Sequence, residues 1–209
     1  AIDPAGKYIA VGTANNQLVV WDIVKNAQKL AIKSHSDWVN AVAWSADSQW
    51  LAGASRDKTA KVFDAATGEL LITYNGHSAN VSGVASHPNG KQLFSSDASG
   101  KIQLWNLSDG KKNSDIANLG GNAFKLSTHA EHLVAPCASG SARLFDVNSK
   151  KQLRTFGGHN AAVLSATISP DGKQIATGDY DGVVKVWNAE TGEPISSFIA
   201  APGYLATSE

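Results

Sequence analysis

The stretch Gly158-His159-Asn160-Ala161-Ala162-Val163-Leu164-Ser165-Ala166-Thr167-Ile168-Ser169-Pro170-Asp171-Gly172-Lys173, with its continuation to Asn188, decides the fold. A Gly-His pair leads into an apolar run, Val163 to Ile168. The run stops at Ser169-Pro170-Asp171-Gly172-Lys173. There proline presets φ at the second turn position, and glycine takes the positive φ that closes a hairpin. Ile175-Ala176-Thr177 follows, then a turn at Asp181-Gly182, then Val183-Val184-Lys185-Val186-Trp187-Asn188. Short apolar runs punctuated by turn residues read as successive hairpins.

The rest of the chain repeats this unit in weaker form. Trp21-Asp22, Phe63-Asp64, Trp105-Asn106, Phe145-Asp146 and Trp187-Asn188 each close an alternating apolar strand, and their aromatics stand 42, 42, 40 and 42 residues apart. A period of roughly 40–45 residues ending in an aromatic and Asp is that of a four-stranded propeller blade. Period, Gly-His pairs, Pro-Gly turns and aromatic endings agree. On these residues the chain resembles the WD40-repeat β-propellers, over nearly all its length. The resemblance implies an all-β fold, a single β-propeller domain over 1–209 with five four-stranded blades. Blade 1 covers 1–33, blade 2 34–75, blade 3 76–118, blade 4 119–156 and blade 5 157–200, with a tail at 201–209.

The copies differ in quality. Asp3-Pro4-Ala5-Gly6-Lys7 matches the Ser169–Lys173 turn, so only Ala1-Ile2 remain of the first inner strand and blade 1 is clipped. The second copy has Ser34-His35 in place of Gly-His. The outer strand of the third, near Ser114–Ala117, reads as short and polar. The fourth is the most degenerate: Gly120-Gly121-Asn122 replaces Gly-His, and the hairpin near Thr128–Glu131 is shorter by about two residues.

Composition narrows the function. Eighteen basic residues balance 18 acidic ones among 209. That argues against a nucleic-acid binder, which needs a basic footprint to displace counterions. Lys25, Lys29, Lys33, Lys111 and Lys112 read as solvated turn and edge residues. No apolar run approaches the roughly 18 residues of a membrane span. Cys137 is the only cysteine, which excludes an internal disulfide and a four-cysteine zinc site.

His159, Thr177, Asp181 and Trp187 superficially look like a catalytic set. The resemblance implies instead a structural tetrad inside the blade, in which each buried polar group finds a partner. Carried across the copies it decays: His35 and Asp57 stand with Gly53 and Phe63; His77, Ser95 and Trp105 stand with Ser99; the first and fourth copies keep less. Only the fifth copy reads as complete. His129 and His132 flank Glu131 in a turn, where the two rings need not converge on a metal. Cys137 lacks an evident base. No catalytic residues, metal site or cofactor site are expected, and the chain reads as no enzyme. A propeller enzyme with a central metal would need His and carboxylates converging on the channel, where Ala, Asn and Ser mostly stand.

Binding is the expected activity. The resemblance implies a docking face formed by the loops before each inner strand and before each tetrad Asp. The first set holds Trp38, Asn80, Asn122 and Ala162; the second holds Ala14, Arg56, Ala98, Ala138 and Tyr180. Trp, Arg and Tyr are the commonest interface anchors. Trp38, Arg56 and Tyr180 are therefore the expected contact cluster for a protein or peptide, with Asp37, Asn80 and Asn122 around it. Neither nucleic acid nor membrane is an expected partner.

Five copies leave three alternatives: a piece of a larger propeller, with about two blades missing from the front; a closed ring zipped by Tyr204–Ser208 as the absent inner strand; or an assembly through open blade edges, since blades cannot bury their faces alone. The first, alone or mixed with the third, is favoured. Ser197–Tyr204 also resembles the end of C-terminal propellers in large bacterial proteins with cytochrome-c-like domains, which would imply a cell-envelope or periplasmic setting.

Overall fold

The computed structural model describes residues 1–200. The chain forms five antiparallel sheets, one of three strands and four of four, in which consecutive strands are always neighbours. Blade 1 holds β1 (Tyr8–Gly12), β2 (Leu18–Asp22) and β3 (Ala27–Ile32); Ile2 adds a single bridge to Ile9 where an inner strand would run. Blade 2 holds β4 (Val39–Trp44), β5 (Trp50–Ser55), β6 (Ala60–Asp64) and β7 (Leu70–Tyr74). Blade 3 holds β8 (Val81–Ser86), β9 (Gln92–Asp97), β10 (Lys101–Asn106) and β11 (Lys112–Asn118). Its outer strand is longer than its polar sequence indicated. Blade 4 holds β12 (Ser127–His129), β13 (His132–Cys137), β14 (Ser141–Asp146) and β15 (Gln152–Phe156). Blade 5 holds β16 (Val163–Ile168), β17 (Gln174–Asp179), β18 (Val183–Asn188) and β19 (Pro194–Ile199). The proposed zipper Tyr204–Ser208 lies outside the described residues.

The repeat is enforced at the backbone. The inner hairpins turn through positive φ at Gly6, Ser48, Gly90, Ala130 and Gly172, one position per blade. Blade 4 does so with alanine, a strained choice in the left-handed region. A register shift falls immediately before the closing aromatic in the outer pair of every blade, at Val20/Trp21, Val62/Phe63, Leu104/Trp105, Leu144/Phe145 and Val186/Trp187. Bulges of this kind increase local twist and re-aim the side chain that follows.

Four apolar cores hold the five sheets, one at each seam between consecutive blades. At each seam the back of one blade meets the front of the next. Val134, Ala142, Leu144 and Phe156 of blade 4, for example, pack on Ala166, Ile168, Ile175 and Trp187 of blade 5. A closed ring of five would need a fifth seam. Among the described residues no core and no hydrogen bond joins blade 5 to blade 1. The array is therefore open in the described residues, and its two ends are bare. At the front of blade 1, Trp21 is 39% exposed, whereas Phe63, Trp105, Phe145 and Trp187 at the same place are buried. At the back of blade 5, Phe198 is 53% exposed, whereas Phe156 is fully buried.

Candidate functional site

Buried polar networks tie two blades together internally. In blade 5, His159 Nδ1 pairs with Asp179 at 2.7 Å, His159 Nε2 with the Thr177 hydroxyl at 2.7 Å, and Trp187 Nε1–H donates to that hydroxyl at 2.8 Å. The acid is Asp179, which corrects the expectation of Asp181. Asp179 ends β17, so one carboxylate oxygen takes His159 while the other accepts the turn N–H groups of Asp181 and Val183. Asp181 sits at the exposed tip of that turn.

Blade 3 repeats the arrangement in full with His77, Ser95, Trp105 and Asp97. The expectation that only the fifth copy is complete is thus also corrected. Ser99 does not replace the acid; its hydroxyl donates to Asp97 at 2.6 Å. Burial alone would raise the Asp97 carboxyl, but hydrogen bonds from Ser99, His77 and backbone N–H groups hold it below the usual range. In blade 2, Ser55 occupies the place of Asp97. Asp57, two residues on, reaches His35 Nδ1 at 2.9 Å instead. With Gly53 and Phe63 opposite, His35 Nε2 is buried and has no partner among the described residues. These groups lie inside the seams with little side-chain exposure.

The expected binding residues stand at one end of the blades, and a single repeated contact puts them there. Arg56 N–H donates to the Trp38 carbonyl at 2.9 Å, Ala98 N–H to Asn80 at 2.9 Å, Ala138 N–H to Asn122 at 3.0 Å and Tyr180 N–H to Ala162 at 2.9 Å. The two loop positions read from the sequence are thus side by side in every blade from the second to the fifth.

In blade 2 the pair is Trp38 and Arg56. The guanidinium lies over the indole, 4.0 Å from its centroid. Trp38 remains 46% exposed, while Trp44 is buried in the seam with blade 1. The Asp37 carboxylate accepts the Trp38 N–H at 2.7 Å, and the Asp37 carbonyl accepts the Ser55 hydroxyl at 2.9 Å. Arg56 also reaches the cavity where the inner strands converge, a space of about 370 Å³ lined by Asn40, Asn80, Ser82, Asn122 and Lys125 among others. Arg56, Asn80 and Asn122 therefore share one site. Tyr180 is 76% exposed on blade 5 and does not line that cavity. Sequence reasoning missed Asn40, Ser82 and Lys125; the first two sit two residues after Trp38 and Asn80, and that spacing was the available signal.

His129 and His132 face each other across the β12–β13 hairpin. Among the described residues no group of three or more His, Cys, Asp or Glu side chains is placed to hold a metal. Cys137 is fully buried, with its thiol directed at the Leu119 carbonyl. Among the described residues no helix is long and apolar enough to cross a membrane.

The sequence profile of the family described as "WD domain, G-beta repeat" matches residues 27–64, 68–106 and 150–188, together more than half of the chain. Among curated relatives, the Target of rapamycin complex subunit wat1 of Schizosaccharomyces pombe is 26% identical over 200 residues, covering 90% of this chain and 63% of its own length. The Transcriptional corepressor LEUNIG_HOMOLOG of Arabidopsis thaliana is 27% identical over 195 residues, covering 91% of this chain and 24% of the relative. A rice guanine nucleotide-binding protein subunit beta is 23% identical over 220 residues, covering 95% and 57%. The chain thus spans less than two thirds of each of these relatives. The solved structure titled "Structure of U3-55K" superposes with a TM-score of 0.87 at 21% identity, covering 95% of this chain and 63% of that one.

Proposed function

Since the chain belongs to the WD40 repeat family, whose members generally act as protein-interaction scaffolds, we propose that it is a non-enzymatic scaffold that binds a protein or peptide on the face carrying Trp38, Arg56 and Tyr180. The observation that carries this reading is the Trp38–Arg56 stack. A large aromatic is left about half exposed, and its partner guanidinium fixes its orientation rather than burying it. An aromatic ring already held by a stacked guanidinium loses little further entropy on contact, and Trp, Tyr and Arg are the residue types enriched as anchors. The blades supply the rigidity, and the repeated loop-to-loop hydrogen bond supplies the placement. Asp37, Asn80 and Asn122 give polar groups around the anchors. The test is selection of displayed peptides on the full chain, followed by affinity measurements. Trp38→Ala is expected to weaken the selected peptides by about tenfold or more, the loss typical of an anchor. Peptides that bind Trp38→Ala, Arg56→Ala and Tyr180→Ala as tightly as the parent would sink the reading.

A second reading, self-association through the open ends, is favoured by the two bare faces. The back of blade 5 presents the same kind of surface that every interior blade buries, and the front of blade 1 presents its counterpart. Front and back differ, so contact would be head to tail rather than two-fold symmetric. Trp21→Glu and Phe198→Glu separate the possibilities. Each variant alone should be monomeric by light scattering, and their equimolar mixture should form a dimer through the one intact pair of faces. A mixture that stays monomeric, beside a parent chain that is also monomeric, removes this reading.

A further inference from the structure

We propose that the cavity at the converging inner strands is a recognition site for a carboxylate side chain of an acidic peptide. The inference rests on the loop face being the docking surface and names the chemistry of its ligand.

Charge is the first argument. The chain as a whole is neutral, with 18 basic and 18 acidic residues. The cavity lining is not: it holds Arg56 and Lys125 and no carboxylate. Among the described residues neither cation takes part in an ion pair. Two uncompensated cations on one concave surface attract an anionic group and focus its approach.

Hydrogen-bonding capacity is the second. Asn40, Asn80, Ser82 and Asn122 enter the same cavity from three successive blades. Asn40 is partly committed, since its Nδ2 donates to the Val81 carbonyl at 2.8 Å. The Asn122 side-chain oxygen is closed to solvent and has no donor among the described residues, so a ligand meets the other polar atoms of the lining. Arg56 suits a peptide carboxylate through bidentate pairing, with Lys125 acting as a point charge. A volume of about 370 Å³ admits one or two such side chains, with the rest of the segment lying over Trp38.

The probes are fluorescently labelled hexaglutamate, hexaglutamine and hexalysine, titrated against the full chain by anisotropy. Hexaglutamate should bind at least about tenfold tighter than hexaglutamine and weaken as salt rises, as expected for exposed charges. Arg56→Gln and Lys125→Gln should each weaken hexaglutamate by about tenfold, the usual scale for a charge-assisted hydrogen bond. Lys91→Gln, on the turn between β8 and β9 at the opposite end of the blade, should leave it unchanged. Inorganic phosphate should compete only weakly. Equal binding of hexaglutamine overturns the proposal, as does an equal loss with Lys91→Gln, and so does displacement by phosphate as effective as by free hexaglutamate. Displayed peptides that depend on Trp38 yet carry no acidic residue overturn it while leaving the loop-face reading standing. Peptides indifferent to the loop-face substitutions overturn that reading itself.

Discussion

Blades 4 and 5 have the same back, and only one of them is covered. Val134, Ala142, Leu144 and Phe156 on blade 4 are buried against blade 5. Ala176, Val184, Val186 and Phe198 take the corresponding places one repeat later, and none is fully buried. The residue types differ little. What differs is the presence of a next blade. Burial in such an array is therefore a property of the seam, as nearest-neighbour energetics of repeat proteins require. The sharpest test compares one position in two blades. Phe156→Ala should cost about 3–5 kcal/mol, the range for a truncated core phenylalanine. Phe198→Ala should change stability by no more than about 0.5 kcal/mol, as for surface positions. Chemical denaturation of both variants measures the difference. Comparable losses would break the comparison and show the back of blade 5 to be covered in solution.

The front of blade 5 sharpens the comparison from the other side. His159, Thr177 and Trp187 face the seam with blade 4, as His77, Ser95 and Trp105 face the seam with blade 2. If seams set stability, the bare back should not weaken this network. Ser95→Ala leaves His77 Nε2 and Trp105 Nε1 without partners and should cost about 2–6 kcal/mol, at about 1–3 for each orphaned group. Thr177→Ala should cost nearly the same. A markedly smaller loss at Thr177 would mean that the uncovered back loosens the whole blade. Blade 2 already lives with half of this defect, since Gly53 offers His35 no hydroxyl.

A smaller effect follows from pH. Burial lowers the pKa of His35 and of His77, outweighing the pull of Asp57 and Asp97. The native state keeps these rings neutral while the unfolded chain, with imidazoles near about 6.5, takes up protons. Stability rises with pH wherever the unfolded state binds more protons, so it should fall as pH drops below about 6.5. Burial alone would raise Asp57, but bonds from Thr59 and His35 hold it at about 2. Its contribution is present above the unfolded value of about 3.9 and is lost as pH falls toward 2. Unfolding midpoints should be level between pH 7 and 8, decline below about 6.5 and decline again below about 4. A midpoint that rises on acidification from 7 to 5 would contradict the neutral, buried state of His35 and His77.

Much of this architecture was legible because it is written five times. The closing aromatics, the Pro-Gly turns and the spacing fixed each strand to a place in a blade, and the loop positions Trp38/Arg56 and Asn80/Ala98 followed from the same alignment. The acid of the network did not follow. Asp179 and Asp181 share one turn, and the Asp181-Gly182 pair draws the eye because glycine there marks the turn. Which carboxylate meets the histidine depends on hairpin geometry, and blade 2 solves the problem with Asp57 where blades 3 and 5 use Asp97 and Asp179. Openness, seen among the described residues, was favoured over a closed ring but stood as one of three alternatives. Whether five blades close depends on the angle at each seam, which single-strand patterns do not encode. Tyr180 shows the same gap: its place in the blade was readable, but its separation from the cavity around the array was not.

The loop rim is a third kind of surface, exposed like the back of blade 5 but held in place. Trp38 is where this distinction can be measured with the smallest expected change in stability. Its ring lies outside all four cores, and its main definable contact is the stack with Arg56. An exposed cation–π pair contributes about 0.5–1 kcal/mol, so Trp38→Ala should shift the unfolding free energy by less than about 1 kcal/mol. Arg56→Ala should shift it by a similar amount, and the double variant by no more than either alone, because both remove one interaction. A residue kept for the fold behaves otherwise: a loss as large as that of Ser95→Ala would mean that Trp38 closes the end of its blade, and the rim would then lose its strongest anchor. A loss within the expected range leaves a large, fixed, solvent-facing indole that the fold does not need, which is the physical condition for spending it on a partner.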